Sequence, residues 1–300
     1  MKKKITPFSG VGTALITPFK DGAVDYGTLE NLIIRQLEAG VGALIAVGTT
    51  GEPATLTEDE KQGIVALAVK LAQGKACVMA GIGGNNTAHC ERQSEIMAKL
   101  GADAVLATTP YYNKTSRGGL VAHFTRIADA SPLPVVMYNV PARTGLNMTA
   151  DVVCELADHL NIAGLKEASS NIEQIVDLFA MAHDRLSIYS GTDDQNYVYL
   201  ALGGEGVISV LSNLAPAPVV EMCGKYARGD VKGALAISKA LNALAKGLFV
   251  ETSPIPLKAA MAHAGLCENE MRLPLVPLRE DLRGKLFTQA DEVFALAEKM

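Results

Sequence analysis

A single lysine, Lys166, stands inside the apolar stretch "IAGLKE" (162–167), where a charged head group is out of place. Its neighbours Ala163, Gly164, Leu165 and Ala168 offer an apolar wall, which disfavours the ammonium and lowers its pKa from the usual ~10.4. The neutral amine is a nucleophile that condenses with a ketone to an iminium, an electron sink for covalent catalysis. Three other groups end comparable stretches. "GTTGE" (48–52) sets the hydroxyls of Thr49 and Thr50 between glycines, which let backbone N–H groups approach a ligand and cradle a carboxylate. "YNVPARTG" (138–145) contributes Tyr138, a phenol able to act as general acid and base at a ketone oxygen. The same stretch carries Arg143, whose guanidinium suits a bidentate grip on a second carboxylate. Each also has an ordinary reading: a snorkelling lysine, a helix-capping turn, a tyrosine anchoring a rim, an exposed loop arginine. Together they make a set suited to forming or breaking a carbon–carbon bond next to a keto acid.

Such a set needs a scaffold that delivers side chains from separate segments to one place. Eight short apolar runs supply it: 11–19, 43–48, 76–83, 103–110, 134–141, 162–167, 186–191 and 206–211. They are continuous rather than alternating, as in parallel strands buried on both faces. Helical periodicity fills the gaps, for instance over 28–40, 57–74 and 87–101. Thr57 and Glu60 form a capping box, and Gly40, Gly74 and Gly101 stand where helices should stop. Eight strand–helix units over residues 1–230 predict an α/β fold of the (β/α)8 barrel type, with its chemistry at the C-terminal ends of the strands. A doubly wound sheet is the alternative, weakened because the first run ends in "TPF" and not in GxGxxG. From Val231 to Met300 the pattern turns to consecutive helices, 231–249, 253–266 and 288–300, read as a helical extension packed on the barrel.

Composition narrows the partners. The 300 residues are 49% hydrophobic and 20% charged, enough for a large core. A net charge of -5 and few aromatic residues exclude a nucleic-acid surface. Five scattered cysteines (Cys77, Cys90, Cys154, Cys223, Cys267) form no CxxC pair and read as reduced thiols. No apolar run reaches membrane-spanning length, and the opening "MKKKITPFSG" lacks a signal-peptide core, so a cytoplasmic protein with no membrane partner is expected. The five histidines (His89, His123, His159, His183, His263) lack metal-ligand spacing, so no metal is expected.

The motifs "GTTGE", "PYYNK", "YNVPARTG" and "GLKEAS", in this order and at matching spacing, resemble the dihydrodipicolinate synthase and N-acetylneuraminate lyase family of class I aldolases. The likeness runs from "GVGTALITPF" to the C-terminal helices. It implies that Lys166 forms a Schiff base with pyruvate, that Thr49, Thr50 and the backbone near Ile208 hold the pyruvate carboxylate, and that Tyr138 handles protons. It further implies a relay from Tyr138 through Thr50 to Tyr112 of a neighbouring subunit in a homotetramer, with Gly191 lining the substrate cavity.

Within the family, the Thr-Thr pair and Arg143 resemble the synthases rather than the sialic acid lyases. The implied reaction condenses pyruvate with L-aspartate 4-semialdehyde to 4-hydroxy-tetrahydrodipicolinate, the entry to diaminopimelate and lysine biosynthesis, with no cofactor. A lyase for N-acetylneuraminate or 2-keto-3-deoxy sugar acids, and a non-catalytic binding barrel, are the competing readings. Lysine-inhibited members carry two histidines where this chain has Glu58 and Lys61, and a glutamate at His89, while Asn85 and Tyr111 match their allosteric pocket. Lys61 would repel a lysine ammonium, so weak or absent feedback inhibition is expected.

Overall fold

A computed structural model describes residues 4–298; the first three residues of the opening segment and the last two of the predicted final helix lie outside it. Eight parallel strands close into a barrel: β1 (Gly10–Ala14), β4 (Ala43–Ala46), β5 (Cys77–Gly81), β6 (Ala104–Thr108), β7 (Val135–Asn139), β8 (Ile162–Glu167), β9 (Ser187–Ser190) and β10 (Gly206–Ser209). β1 pairs with both β4 and β10, so no edge is left and the doubly wound alternative falls. β2 (Phe19–Lys20) and β3 (Ala23–Val24) form a small antiparallel hairpin outside the barrel. The first run was expected to stay in the sheet to residue 19, but its strand stops at Ala14. Pro18 follows with no N–H to offer a ladder, and Phe19 turns into the hairpin.

The helices that follow the barrel strands are α1 (Tyr26–Glu38), α2 (Glu58–Ala72), α3 (Thr87–Lys99), α4 (Arg117–Ala130), α5 (Pro141–Thr144), α6 (Ala150–Leu156), α7 (Ile172–Ala182), α8 (Asn196–Ala201) and, after the last strand, α9 (Pro216–Ala227). The expected capping box opens α2: Thr57 Oγ1 accepts from the Glu60 N–H at 3.2 Å, and Glu60 Oε2 accepts from the Thr57 N–H at 2.9 Å. Gly40, Gly74 and Gly101 have φ of 81°, 76° and 91°, the left-handed region in which glycine ends a helix at no steric cost. The chain then continues through α10 (Val231–Gly247), α11 (Ile255–His263) and α12 (Glu280–Ala297). The last helix starts before the predicted residue 288, because Glu280 and Asp281 give it an acidic first turn. No helix among the described residues is long and apolar enough to cross a membrane.

Two cores explain the continuous apolar runs. Alternate side chains of each strand serve opposite faces: Ile45, Leu106, Val136 and Ile208 fill the barrel interior, while Leu44, Val105, Met137 and Leu165 pack under the helices. At the N-terminal end of the barrel, Phe8 stacks on Tyr189 with ring centroids 4.4 Å apart. A Cβ on Gly12 would lie 2.8 Å from the Phe8 ring, so only glycine admits that plug. The interior is thus filled from below, and polar side chains collect at the strands' C-terminal ends.

Candidate active site

Strand β8 aims Lys166 into the barrel. In register with β7, Gly164 faces Val136 and Lys166 faces Tyr138, whereas Leu165 and Glu167 point outward beside Met137 and Asn139. The apolar wall around the amine is therefore not the sequence neighbour Leu165. It is the Tyr138 ring, whose centroid lies 4.2 Å from Nζ, together with the interior side chains. Lys166 is 4% exposed. Burial pulls its amine down to about 7; the nearby Asp193 carboxylate works against this and the Arg143 guanidinium adds to it. A substantial fraction of this lysine is uncharged at neutral pH.

Tyr138 is 5% exposed, and burial pushes its phenol up to about 12, against the pull of Arg143 and the Thr49 hydroxyl. It is a proton donor at neutral pH. Thr49 belongs to a short 3-10 turn, Thr49–Gly51, that follows β4, and Thr50 is buried within it. Thr17 Oγ1 donates to the Gly51 carbonyl at 2.8 Å, which pins the turn to the segment leaving β1. Among the described residues no hydrogen bond joins Thr50 to Tyr138 or Tyr112; of the two hydroxyls it is that of Thr49 that pulls on the phenol.

Arg143 rides on α5, started by Pro141 and stopped by Gly145 at φ 66°. Its Nη2 donates to the Ser253 carbonyl at 2.8 Å, so the helical extension orients the guanidinium. Gly191, just after β9, leaves room for the lysine stem: a Cβ there would stand 2.8 Å from Ala168 Cβ and 3.1 Å from Lys166 Cγ. Ile208 lies inside the barrel on β10. Tyr112 is 91% exposed and has a φ of 65°, and it is not among the residues that line the cavity at the barrel mouth.

A cavity of about 560 Å³ opens at this end of the barrel, walled by Thr49, Leu106, Val140, Arg143 and Ser253. Lys166 and Tyr138 are not among the residues that line it; Thr49 and Arg143, which both act on the Tyr138 phenol, are what join the cavity to the lysine's surroundings. The cavity continues outward to Lys61, Asn85, His89 and Tyr111. There Lys61 is not a free cation: Glu58 Oε1 holds its ammonium at 2.8 Å, and Gln93 Nε2 donates to Glu58 Oε2 at 2.6 Å. The expected repulsion of a lysine ammonium is therefore largely neutralised, and the carboxylate that could attract one is already engaged.

Several supporting residues escaped the sequence reading. On the outer face, Asn139 Nδ2 donates to Glu167 at 3.0 Å and Glu167 accepts from the Ser169 N–H at 2.7 Å, clasping β7 to β8 one residue past Tyr138 and Lys166. Asp193 Oδ2 accepts from the N–H groups of Val210 and Leu211 at 2.8 and 2.9 Å, tying the loop after β9 to the end of β10. Polar residues at strand ends were a usable signal for Asn139 and Glu167. Nothing local marks the contacts of Asp193 or Ser253.

A buried, partly neutral amine against a protonated phenol at the mouth of a (β/α)8 barrel defines an enzyme of the class I aldolase kind. The chain belongs to the dihydrodipicolinate synthetase family, whose model matches residues 7–292. A 4-hydroxy-tetrahydrodipicolinate synthase from Alkaliphilus oremlandii is 43% identical over 282 residues, 94% of this chain and 97% of that protein. The crystal structure of dihydrodipicolinate synthase from Thermotoga maritima superposes with a TM-score of 0.94 at 42% identity, covering 96% of this chain and 99% of that one. The chloride-inhibited dihydrodipicolinate synthase of Acinetobacter baumannii, complexed with pyruvate, matches with a TM-score of 0.93 at 36% identity over 96% of this chain and 99% of that one.

Proposed function

We propose that this chain condenses pyruvate with L-aspartate 4-semialdehyde to 4-hydroxy-tetrahydrodipicolinate through a Schiff base on Lys166. The observation that carries the reading is the buried Lys166 amine, held near neutrality against the Tyr138 ring. The relatives named for the synthase reaction cover nearly the whole chain, which favours it over a sugar-acid lyase or a non-catalytic barrel.

In this mechanism the neutral amine adds to the pyruvate ketone, and Tyr138 delivers the proton with which the hydroxyl of the adduct leaves as water. Thr49, Thr50 and the backbone near Ile208 hold the keto acid's carboxylate. The iminium loses a methyl proton to the Tyr138 phenolate left by the loss of water and becomes an enamine; its carbon attacks the aldehyde, regenerating the iminium, and the Tyr138 phenol returns the proton to the new alkoxide oxygen. Arg143 grips the semialdehyde's carboxylate, and that substrate's own amine then displaces Lys166 as the ring closes. Gly191 keeps the space in which the adduct stands.

The same reading assigns Tyr112 to a neighbouring subunit's site in a homotetramer, supported by its exposure and its left-handed backbone. The outer cavity around Asn85, His89, Tyr111, Glu58 and Lys61 is assigned as a degenerate effector pocket. A cytoplasmic setting fits the five unpaired cysteines.

Borohydride reduction with pyruvate present, followed by peptide mass mapping, tests the central step. An adduct on Lys166 and faster turnover of the semialdehyde than of N-acetylneuraminate or 2-keto-3-deoxy sugar acids is expected. No adduct on Lys166 ends the aldolase reading.

A further inference from the structure

Lys258 in α11 is completely buried, and the proposed chemistry does not use it. Its ammonium lies 2.5 Å from Glu52 Oε1, donates to the Glu270 carbonyl at 2.9 Å, and sits 4.2 Å above the Phe19 ring. Glu52 is equally buried, and among the described residues neither of its carboxylate oxygens has another hydrogen-bond partner. A buried carboxylate with one partner depends on that partner.

Glu52 is the last residue of "GTTGE". It follows the Thr49–Gly51 turn directly, and its backbone is left-handed, at φ 56° and ψ 44°. A residue with a side chain stays in that region only where its surroundings hold it. The Glu52 N–H donates to the Thr49 carbonyl at 3.2 Å, so the angle at Glu52 and the placement of Thr49 are one geometric unit. The segment that carries Lys258 also carries Ser253, whose carbonyl orients Arg143. A single stretch of the helical extension thus touches both the hydroxyl turn and the guanidinium.

We propose that Lys258 is a positioning residue for the reaction: its ion pair with Glu52 locks the left-handed turn that sets Thr49 and Thr50 against Tyr138 and the keto acid. The inference rests on the functional reading above. It gives the helical extension a part in catalysis, through the barrel mouth it braces. A merely structural ion pair would affect stability and leave turnover by the folded enzyme unchanged.

Lys258→Met alone strands the Glu52 charge in the core and endangers folding. The double variant Glu52→Gln with Lys258→Met leaves no unpaired ion and is the decisive protein. Melting temperature, kcat and KM for pyruvate, and the rate of borohydride trapping on Lys166 are measured against the parent enzyme. A loss of at least tenfold in kcat/KM for pyruvate, with trapping slowed in step, is expected in the double variant even where its melting temperature equals the parent's. A double variant within twofold of the parent overturns the inference.

Should the double variant not fold, Glu52→Gln alone decides. It keeps the ammonium's contacts with the Glu270 carbonyl and the Phe19 ring, and turnover within twofold of the parent overturns the inference in the same way. A parent enzyme that gives no pyruvate adduct overturns the functional reading instead, so the two failures are distinct.

Discussion

If Lys166 titrates near 7, the rate of imine formation must follow that titration. At pH 8 an ordinary lysine with a pKa of ~10.4 is about 0.4% neutral, whereas one near 7 is about 90% neutral, roughly a 200-fold gain in nucleophile. The depression of Lys166 from 10.5 to about 7 corresponds to about 5 kcal/mol between the two protonation states. Quenched-flow trapping of the pyruvate adduct at sub-saturating pyruvate, from pH 5.5 to 10, reads the neutral fraction directly. A rise of about tenfold per pH unit below 7, bending to a plateau above it, is expected. Two neighbours move the bend in opposite directions: Asp193 raises the lysine's pKa and Arg143 lowers it. Asp193→Asn therefore shifts the inflection down and Arg143→Met shifts it up. A rate that still climbs tenfold per unit at pH 10, or two variants that shift the same way, refutes burial and charge as the origin of the nucleophile.

The same titration reaches stability. The folded pKa lies below the unfolded one, so between about 7 and ~10.4 the unfolded chain binds more protons, and unfolding free energy from this group rises with pH. Lys166→Met should accordingly abolish the adduct yet raise the melting temperature at pH 7, with the gain shrinking toward pH 10; calorimetry across that range checks it. Gly191→Ala places a methyl 2.8 Å from Ala168 Cβ and 3.1 Å from Lys166 Cγ, and steady-state kinetics should show kcat/KM lowered by about a hundredfold or more, as expected when a reacting group is displaced by ~1 Å. Tyr138→Phe removes the proton donor and should lower kcat by about 10²–10⁴ with the fold intact by circular dichroism. Lysine titrated into the assay should leave activity above half at sub-millimolar concentration, because Glu58 is already engaged by Lys61 and Gln93.

Much of this enzyme was legible in one dimension. Buried parallel strands must be apolar throughout, so eight continuous runs announced the barrel, and a lysine, a tyrosine and two threonines where runs end announced its mouth. The capping box at Thr57 and Glu60 and the glycines that end α1, α2 and α3 were equally readable, since each depends on residues within a turn of one another. Closure of the sheet decided the rest. Only the pairing of β7 with β8 sets Lys166 against the Tyr138 ring and turns Leu165, its sequence neighbour, away from it. The grip of Ser253 on Arg143 and of Lys258 on Glu52 joins residues far apart in the chain. Sequence carries periodicity and local chemistry, whereas the burial that makes an amine neutral, and the partner that holds a buried carboxylate, exist only once distant segments have packed together.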